Sequence, residues 1–221
     1  MKLIYAGDPM CSWCYGFGKE LSALMALHPG LRLDIVVGGV RAGATDILDD
    51  AGKAFRLGHW ERVEANSGLP FNREAFVARE NFVYDTEPVC RAVVAAREIA
   101  PQADLLAVFR TLQSAFYAEG RDTTDGRVLA HVVAEALGAQ GVLCDADHVH
   151  EVWIAPGTMA ETRSDFRVVR TLGVRSFPAL LLEVDGQVQE VSPGYAQVAV
   201  LDHHLRSLLA QVHQRQNAWL A

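Results

Sequence analysis

The chain has 221 residues, half of them apolar, which suffices for a large domain with a buried core and excludes a disordered protein. Its net charge of −7 contains no basic run, so nucleic acid is not an expected partner. No stretch approaches the roughly 18 apolar residues of a membrane span, and Met1–Ala6 is too short before Gly7-Asp8-Pro9 to serve as a secretory signal. The expectation is a cytoplasmic protein with no membrane partner.

Leu3–Ala6 reads as a short buried strand that Gly7-Asp8-Pro9 breaks. From Ser12 to about Leu27 the spacing of Phe17, Leu21, Leu24 and Met25 predicts a helix, ended by His28-Pro29-Gly30. Leu31–Val37 alternates like a strand. Strand, helix and strand in this space make a βαβ unit with parallel strands and a right-handed crossover. From Gly43 to Gly173 helical periodicity prevails. Helices are predicted over 88–99, 104–117, 124–137 with a cap in Thr123-Thr124-Asp125-Gly126, and 158–172. Ala179–Val184 and Val188–Val191 read as a hairpin across Asp185-Gly186, followed by an amphipathic helix over Tyr195–Val212. The predicted class is α/β, ordered β-α-β … β-β-α with a large all-helical insertion. Residues 1–42 and 174–221 would form the core, and 43–173 the insertion, including a return helix to the sheet.

Four cysteines in a cytosolic chain call for a reason other than structural disulfides. Cys11-Ser12-Trp13-Cys14 falls where the first strand yields to the first helix. Unpaired N–H groups and the positive end of the helix dipole stabilise a thiolate there. Cys11 at the exposed N-cap edge would be the nucleophile, and Cys14, one turn on, would resolve the mixed disulfide. Zinc also uses C-x-x-C, but a tetrathiolate site needs a second pair, and Cys90 and Cys144 form none. No metal and no cofactor beyond the redox-active disulfide is expected. Pro178 opens the hairpin strand, where proline belongs because it cannot donate to a ladder. Taken with the motif order, a cis bond after Phe177 is expected. It would leave the Phe177 backbone free to pair with an extended substrate.

GDPMCSWCYGFGKEL (7–21), followed far downstream by GVRSFPALLL (173–182), resembles the DsbA-like thiol oxidoreductases. The likeness is greatest to their cytoplasmic, FrnE-like branch of protein-disulfide isomerases, and TEPVCRAVVAARE and FYAEGRDTT are similar to its helical segments. The resemblance spans the chain. It implies a thioredoxin fold with a helical insert, redox cysteines at Cys11 and Cys14, and a cis proline at Pro178. Phe177 departs from the Thr or Val common in the secreted members, so their substrate range and potential do not carry over.

Other residues admit two readings each. Asp8 is either a proton carrier for Cys14 or a turn residue before Pro9. Trp13 would shield the disulfide and offer an apolar contact to substrate, with Ser12 tuning the potential. Gly39, in Gly38-Gly39-Val40-Arg41, belongs to a substrate loop or to a turn needing positive φ. Cys90 reads as a small buried hydrophobe. Cys144, Asp145, Asp147, His148 and His150 crowd too closely to face one metal and read as a solvated turn. GHWERVEANSGLPF, with His59 and Trp60, resembles a region of kappa-type glutathione transferases and related isomerases, though a packed helix accounts for it.

Dithiol exchange on protein or small-molecule disulfides is the leading function, with glutathione as a candidate co-substrate and a recycling reductase or oxidant as partner. The alternatives are a glutathione-dependent isomerase or transferase of the kappa type, against which Cys14 counts, and a non-catalytic holdase.

Overall fold

The computed structural model describes residues 1–219, without the side chains of 213 and 215–219; the last two residues of the expected 174–221 core segment lie outside them. The chain opens with β1 (Lys2–Gly7), α1 (Ser12–Leu27) and β2 (Arg32–Val37), and β1 pairs parallel to β2. Helices α2 (Asp50–Ser67), α3 (Arg73–Val77), α4 (Glu87–Ile99), α5 (Leu105–Tyr117), α6 (Gly126–Gly138), α7 (Ala146–Ile154) and α8 (Pro156–Thr171) follow. The chain then returns as β3 (Ala179–Val184), β4 (Gln187–Ser192) and α9 (Val198–Trp219). The sheet order is β2-β1-β3-β4, with β3 antiparallel to both neighbours. This is the thioredoxin fold with a helical insertion.

Every residue of β1 after Lys2 is buried, because both faces of the strand are covered. Leu3 and Tyr5 join the main core with Phe17 and Leu21 of α1 and with Leu180 and Leu182 of β3. Ala6 and Ala179 face the other way, onto Val169 of α8. Small residues on that face let α8 approach. Asp165 of α8 accepts from the Val37 N–H at 3.1 Å and pairs with Arg97 of α4, so one buried carboxylate ties two helices to the end of β2. The turn Asp185-Gly186 has positive φ at both residues, 51° and 77°, as a tight primed hairpin turn requires.

Three segments differ from the sequence expectation. Residues 144–150, expected as a solvated turn, instead lead into α7, with Asp145 as its N-cap and its side chain accepting the His148 N–H at 2.8 Å. Val149 is fully buried there, and the Trp153 Nε1–H donates to the Pro88 carbonyl, so the polar look of the segment belongs to one face only. The last helix begins at Val198 rather than Tyr195, where Glu20 Oε2 accepts the Val198 N–H, and it runs beyond Val212. The helix expected from Thr124 begins at Gly126, with Asp125 accepting from two N–H groups as its cap.

Candidate functional site

Cys11 is the N-cap of α1, in extended conformation, and is partly exposed. Its N–H is held by the Asp8 carbonyl at 3.0 Å, and the Tyr15 N–H returns to the Cys11 carbonyl at 3.0 Å. The thiol is thus fixed by a turn before the helix and by the first bond of the helix. Cys14, one turn further, is fully buried behind it. Both are free thiols, as are Cys90 and Cys144.

The peptide bond Phe177–Pro178 is cis. The Cys11 thiol donates to the Phe177 carbonyl at 3.7 Å, so residues 166 positions apart meet at this sulfur. Gly38 makes this approach feasible: any side chain there would run into the Phe177 ring. Gly39 has φ +61°, and a side chain on it would meet Phe166. Gly38 is therefore required by the Phe177 ring and Gly39 by its own backbone, and both line the same cleft as Cys11. The cleft holds about 460 Å³; Phe166, Arg170, Arg175 and Phe177 complete its walls. A larger hollow, about 670 Å³, runs along β2 between Arg32 and Leu106 and shares no residue with the cysteine loop. The smaller cleft is the candidate site because Cys11, the expected nucleophile, lines it.

Asp8 is fully buried, and its carboxylate is engaged. One oxygen accepts the Met10 N–H at 2.8 Å, and the other accepts the Val40 N–H at 2.7 Å. It therefore joins the cysteine loop to the loop after β2, alongside Thr86 and Cys90 of the α4 start. Burial pushes its carboxyl up to about 6 despite these donors. Cys90 is buried as expected, but against Asp8 and Gly39 rather than in a purely apolar pocket; burial first, then the Asp8 charge, raises its thiol. Cys14 is raised well above an ordinary thiol by burial and by hydrogen bonding with Cys11, and lowered by the Asp8 backbone N–H and by Tyr5.

Trp13 is half-buried and packs on Tyr195 with ring centroids 5.6 Å apart. Ser12 is the first residue of α1. Trp60 is a core residue of α2, whereas His59 lies against the exposed Phe55. Cys144 is half-buried beside Asp145, and Asp147 pairs with Arg127. Among the described residues no three His, Cys, Asp or Glu come together as metal ligands, and no helix is long and apolar enough to cross a membrane.

Three site neighbours escaped the sequence reading. Tyr5 presents its hydroxyl toward Cys14 from inside β1. Tyr84 donates to the Met10 carbonyl at 2.6 Å, and Thr86 accepts from the Arg41 N–H. The one visible signal was a lone Tyr among aliphatic residues of a buried strand, since a buried phenol ordinarily needs a partner.

A C-x-x-C at the strand-to-helix junction, facing a cis-proline strand across this sheet, defines a thioredoxin-superfamily protein. No protein-family model and no curated relative matches the chain. Among solved structures, a "putative protein disulfide isomerase" from Nitrosomonas europaea is 29% identical, with TM-score 0.84 over 96% of this chain and 99% of its own. The cytosolic disulfide reductase DsbM from Pseudomonas aeruginosa is 26% identical, with TM-score 0.75 over 96% of this chain and 100% of its own, and that protein has also been solved with glutathione. A 2-hydroxychromene-2-carboxylate isomerase shares the fold alone, at 15% identity and TM-score 0.61 over the whole of both chains. Over nearly its whole length the chain is similar to disulfide oxidoreductases of the DsbA-like kind within that superfamily.

Proposed function

We propose that the protein exchanges disulfides through Cys11 and Cys14. The observation that carries this reading is the Cys11 thiol, capping α1 and 3.7 Å from the Phe177 carbonyl, with Cys14 buried one turn behind. The Cys11 thiolate attacks a substrate disulfide, forming a mixed disulfide and releasing one substrate sulfur as thiolate. Cys14, losing its proton, then attacks Cys11 sulfur and releases the second. The substrate gains two electrons and the enzyme ends as a disulfide; the reverse sequence oxidises a dithiol. The Phe177 backbone beside Cys11 is the proposed place for an extended substrate segment, with Ser12 and Trp13 tuning the pair.

Protein disulfides and small thiols are both substrates in this reading, and glutathione is the proposed small co-substrate. Its support is the size of the cleft and the presence of Arg170 and Arg175 in its lining together with Cys11, which suit a carboxylate-bearing thiol. A separate reductase or oxidant would recycle the pair. The cytoplasm is the compartment this chemistry expects, and the similar Pseudomonas reductase is described as cytosolic. Cys14 behind Cys11 favours dithiol exchange over a transferase or holdase role, for which a second sulfur has no use.

The test is equilibration against glutathione, with the thiols read by mass spectrometry. A reversible two-electron couple on Cys11 and Cys14 is expected. A potential near roughly −270 mV would make the protein a reductase, and one well above the glutathione pool an oxidant or isomerase. No reversible couple at this pair would end the reading.

A further inference from the structure

The Tyr5 hydroxyl is the unexplained group at this site. The side chain is fully buried, and its oxygen has no well-directed hydrogen-bond partner in the dithiol state. Burying a phenol this way is unfavourable unless some state of the protein satisfies it. The ring is held by Phe17 at 5.7 Å and Phe109 at 5.3 Å between centroids. Its outer end lies over Gly7, where a Cβ would stand 2.5 Å from the hydroxyl oxygen. Gly7 thus leaves room for a hydroxyl that reaches past the strand to Cys14.

We propose that the Tyr5 hydroxyl and the Asp8 backbone N–H form a two-donor cradle for the Cys14 thiolate, making Tyr5 a catalytic residue of the resolving step. This rests on the dithiol reading and deepens it. The sulfur that must ionise is buried, and the groups around it are few: Cys11 from the α1 N-cap, Tyr5 from β1 and the Asp8 backbone from the loop between them. Cys11 works against the thiolate, while Tyr5 and the Asp8 N–H work for it. No cationic side chain is among them, so hydrogen bonds replace the countercharge that a buried thiolate would otherwise need. During resolution Cys14 releases its proton to solvent, its sulfur bonds to Cys11 sulfur, and the substrate thiolate leaves. Tyr5 keeps its own proton and donates to Cys14 until the new bond removes the charge.

The two steps separate with a chromogenic aromatic disulfide, dithiobis-nitrobenzoate, in a Cys144→Ser background that removes the other accessible thiol. Reduced protein releases one thionitrobenzoate as Cys11 is captured and a second as Cys14 closes the ring. Tyr5→Phe is expected to leave the first phase unchanged. It should slow the second by about tenfold or more near neutral pH and move its pH profile upward, the loss of one hydrogen bond to a charged acceptor. A second phase unchanged, or slowed with no shift in its profile, overturns the cradle. A variant that loses both phases is misfolded. The decision then passes to Cys11→Ser protein with labelled tyrosine rings, where the Tyr5 oxygen-bearing carbon must move as Cys14 ionises; a fixed resonance overturns the proposal. Wild-type protein that never releases the second thionitrobenzoate would instead sink the dithiol reading itself.

Discussion

The redox edge and the helical insertion are built by different means. The edge, residues 7–14, 37–41 and 173–178, is shaped by backbone: an N-cap cysteine, a positive-φ glycine, a cis proline and one carboxylate bridging two loops. The insertion is shaped by rings. Trp60 lies 4.5 Å from Phe76 and 5.0 Å from Phe71 between centroids, and Phe116 lies 4.9 Å from Tyr117. The regions touch at several points, among them Tyr84 on the Met10 carbonyl, Thr86 accepting the Arg41 N–H and Asp165 accepting the Val37 N–H. The difference teaches where each kind of damage will appear. Change at the edge should alter rate, and change among the rings should alter stability.

The largest effect expected at the edge is loss of turnover. Cys11→Ser should reduce disulfide exchange to background, and Cys14→Ser should accumulate a mixed disulfide with substrate, both visible by mass spectrometry. Neither variant should unfold the protein, since Cys11 is partly exposed and Ser is close to isosteric with Cys. Full activity in both would remove the edge from the chemistry altogether.

The opposite extreme is Trp60→Ala, which hollows the ring cluster at a residue 1% exposed. Truncating a buried Trp costs about 3–5 kcal/mol, read as a lower denaturant midpoint. Exchange by the folded fraction should be unchanged. If the rate per folded molecule collapsed as well, the insertion would be shaping the site rather than supporting it.

Asp8 tests whether the edge is built for stability. Its carboxyl, raised by burial from 3.8 to about 6, keeps a proton that the unfolded chain has already released between about pH 4 and pH 6. The stability it contributes is fully present below the unfolded value and is lost as pH rises through that window. Asp8→Asn should remove this dependence. The wild-type advantage over the variant should therefore shrink by on the order of 2–3 kcal/mol from pH 4 to neutral pH, in denaturant titrations at each pH. A difference that stays flat would mean that the Met10 and Val40 N–H donors offset burial, and one that grows with pH that they outweigh it.

These two constructions were not equally legible in the sequence. Breakers at Gly7-Asp8-Pro9 and His28-Pro29-Gly30, alternation in Leu31–Val37 and the Asp185-Gly186 turn carry the βαβ unit and the hairpin, because local period and turn chemistry decide them. The C-x-x-C at a strand-to-helix junction marks Cys11 and Cys14 for the same reason. Helix α2 was legible only in its second half, as the packed helix around His59 and Trp60, since Trp60, Val63 and Ser67 are its only buried residues and its first half has little period. Helix α7 was obscured by its Asp and His content, although Asp145 is an ordinary cap. The meetings of Asp8 with Val40, Tyr5 with Cys14 and Tyr84 with Met10 depend on strand pairing and on loops brought together from far apart. No local pattern encodes them.

The seam between the regions is where the smallest effect should appear. Tyr84 is buried, and its hydroxyl donates to the carbonyl of Met10, the residue before the nucleophile, at 2.6 Å. Tyr84→Phe keeps the ring contacts with Phe82 and Phe116 and leaves that carbonyl without its donor. The expected cost is about 1–2 kcal/mol, the penalty for one buried acceptor left unsatisfied. Because Met10 leads directly into Cys11, the same loss should loosen the nucleophile, and capture of substrate by Cys11 should slow while resolution by Cys14 does not. A variant destabilised by this amount with capture at the wild-type rate would show that the Asp8 bonds alone hold the loop. The helical insertion would then contribute stability to the edge and nothing to its geometry.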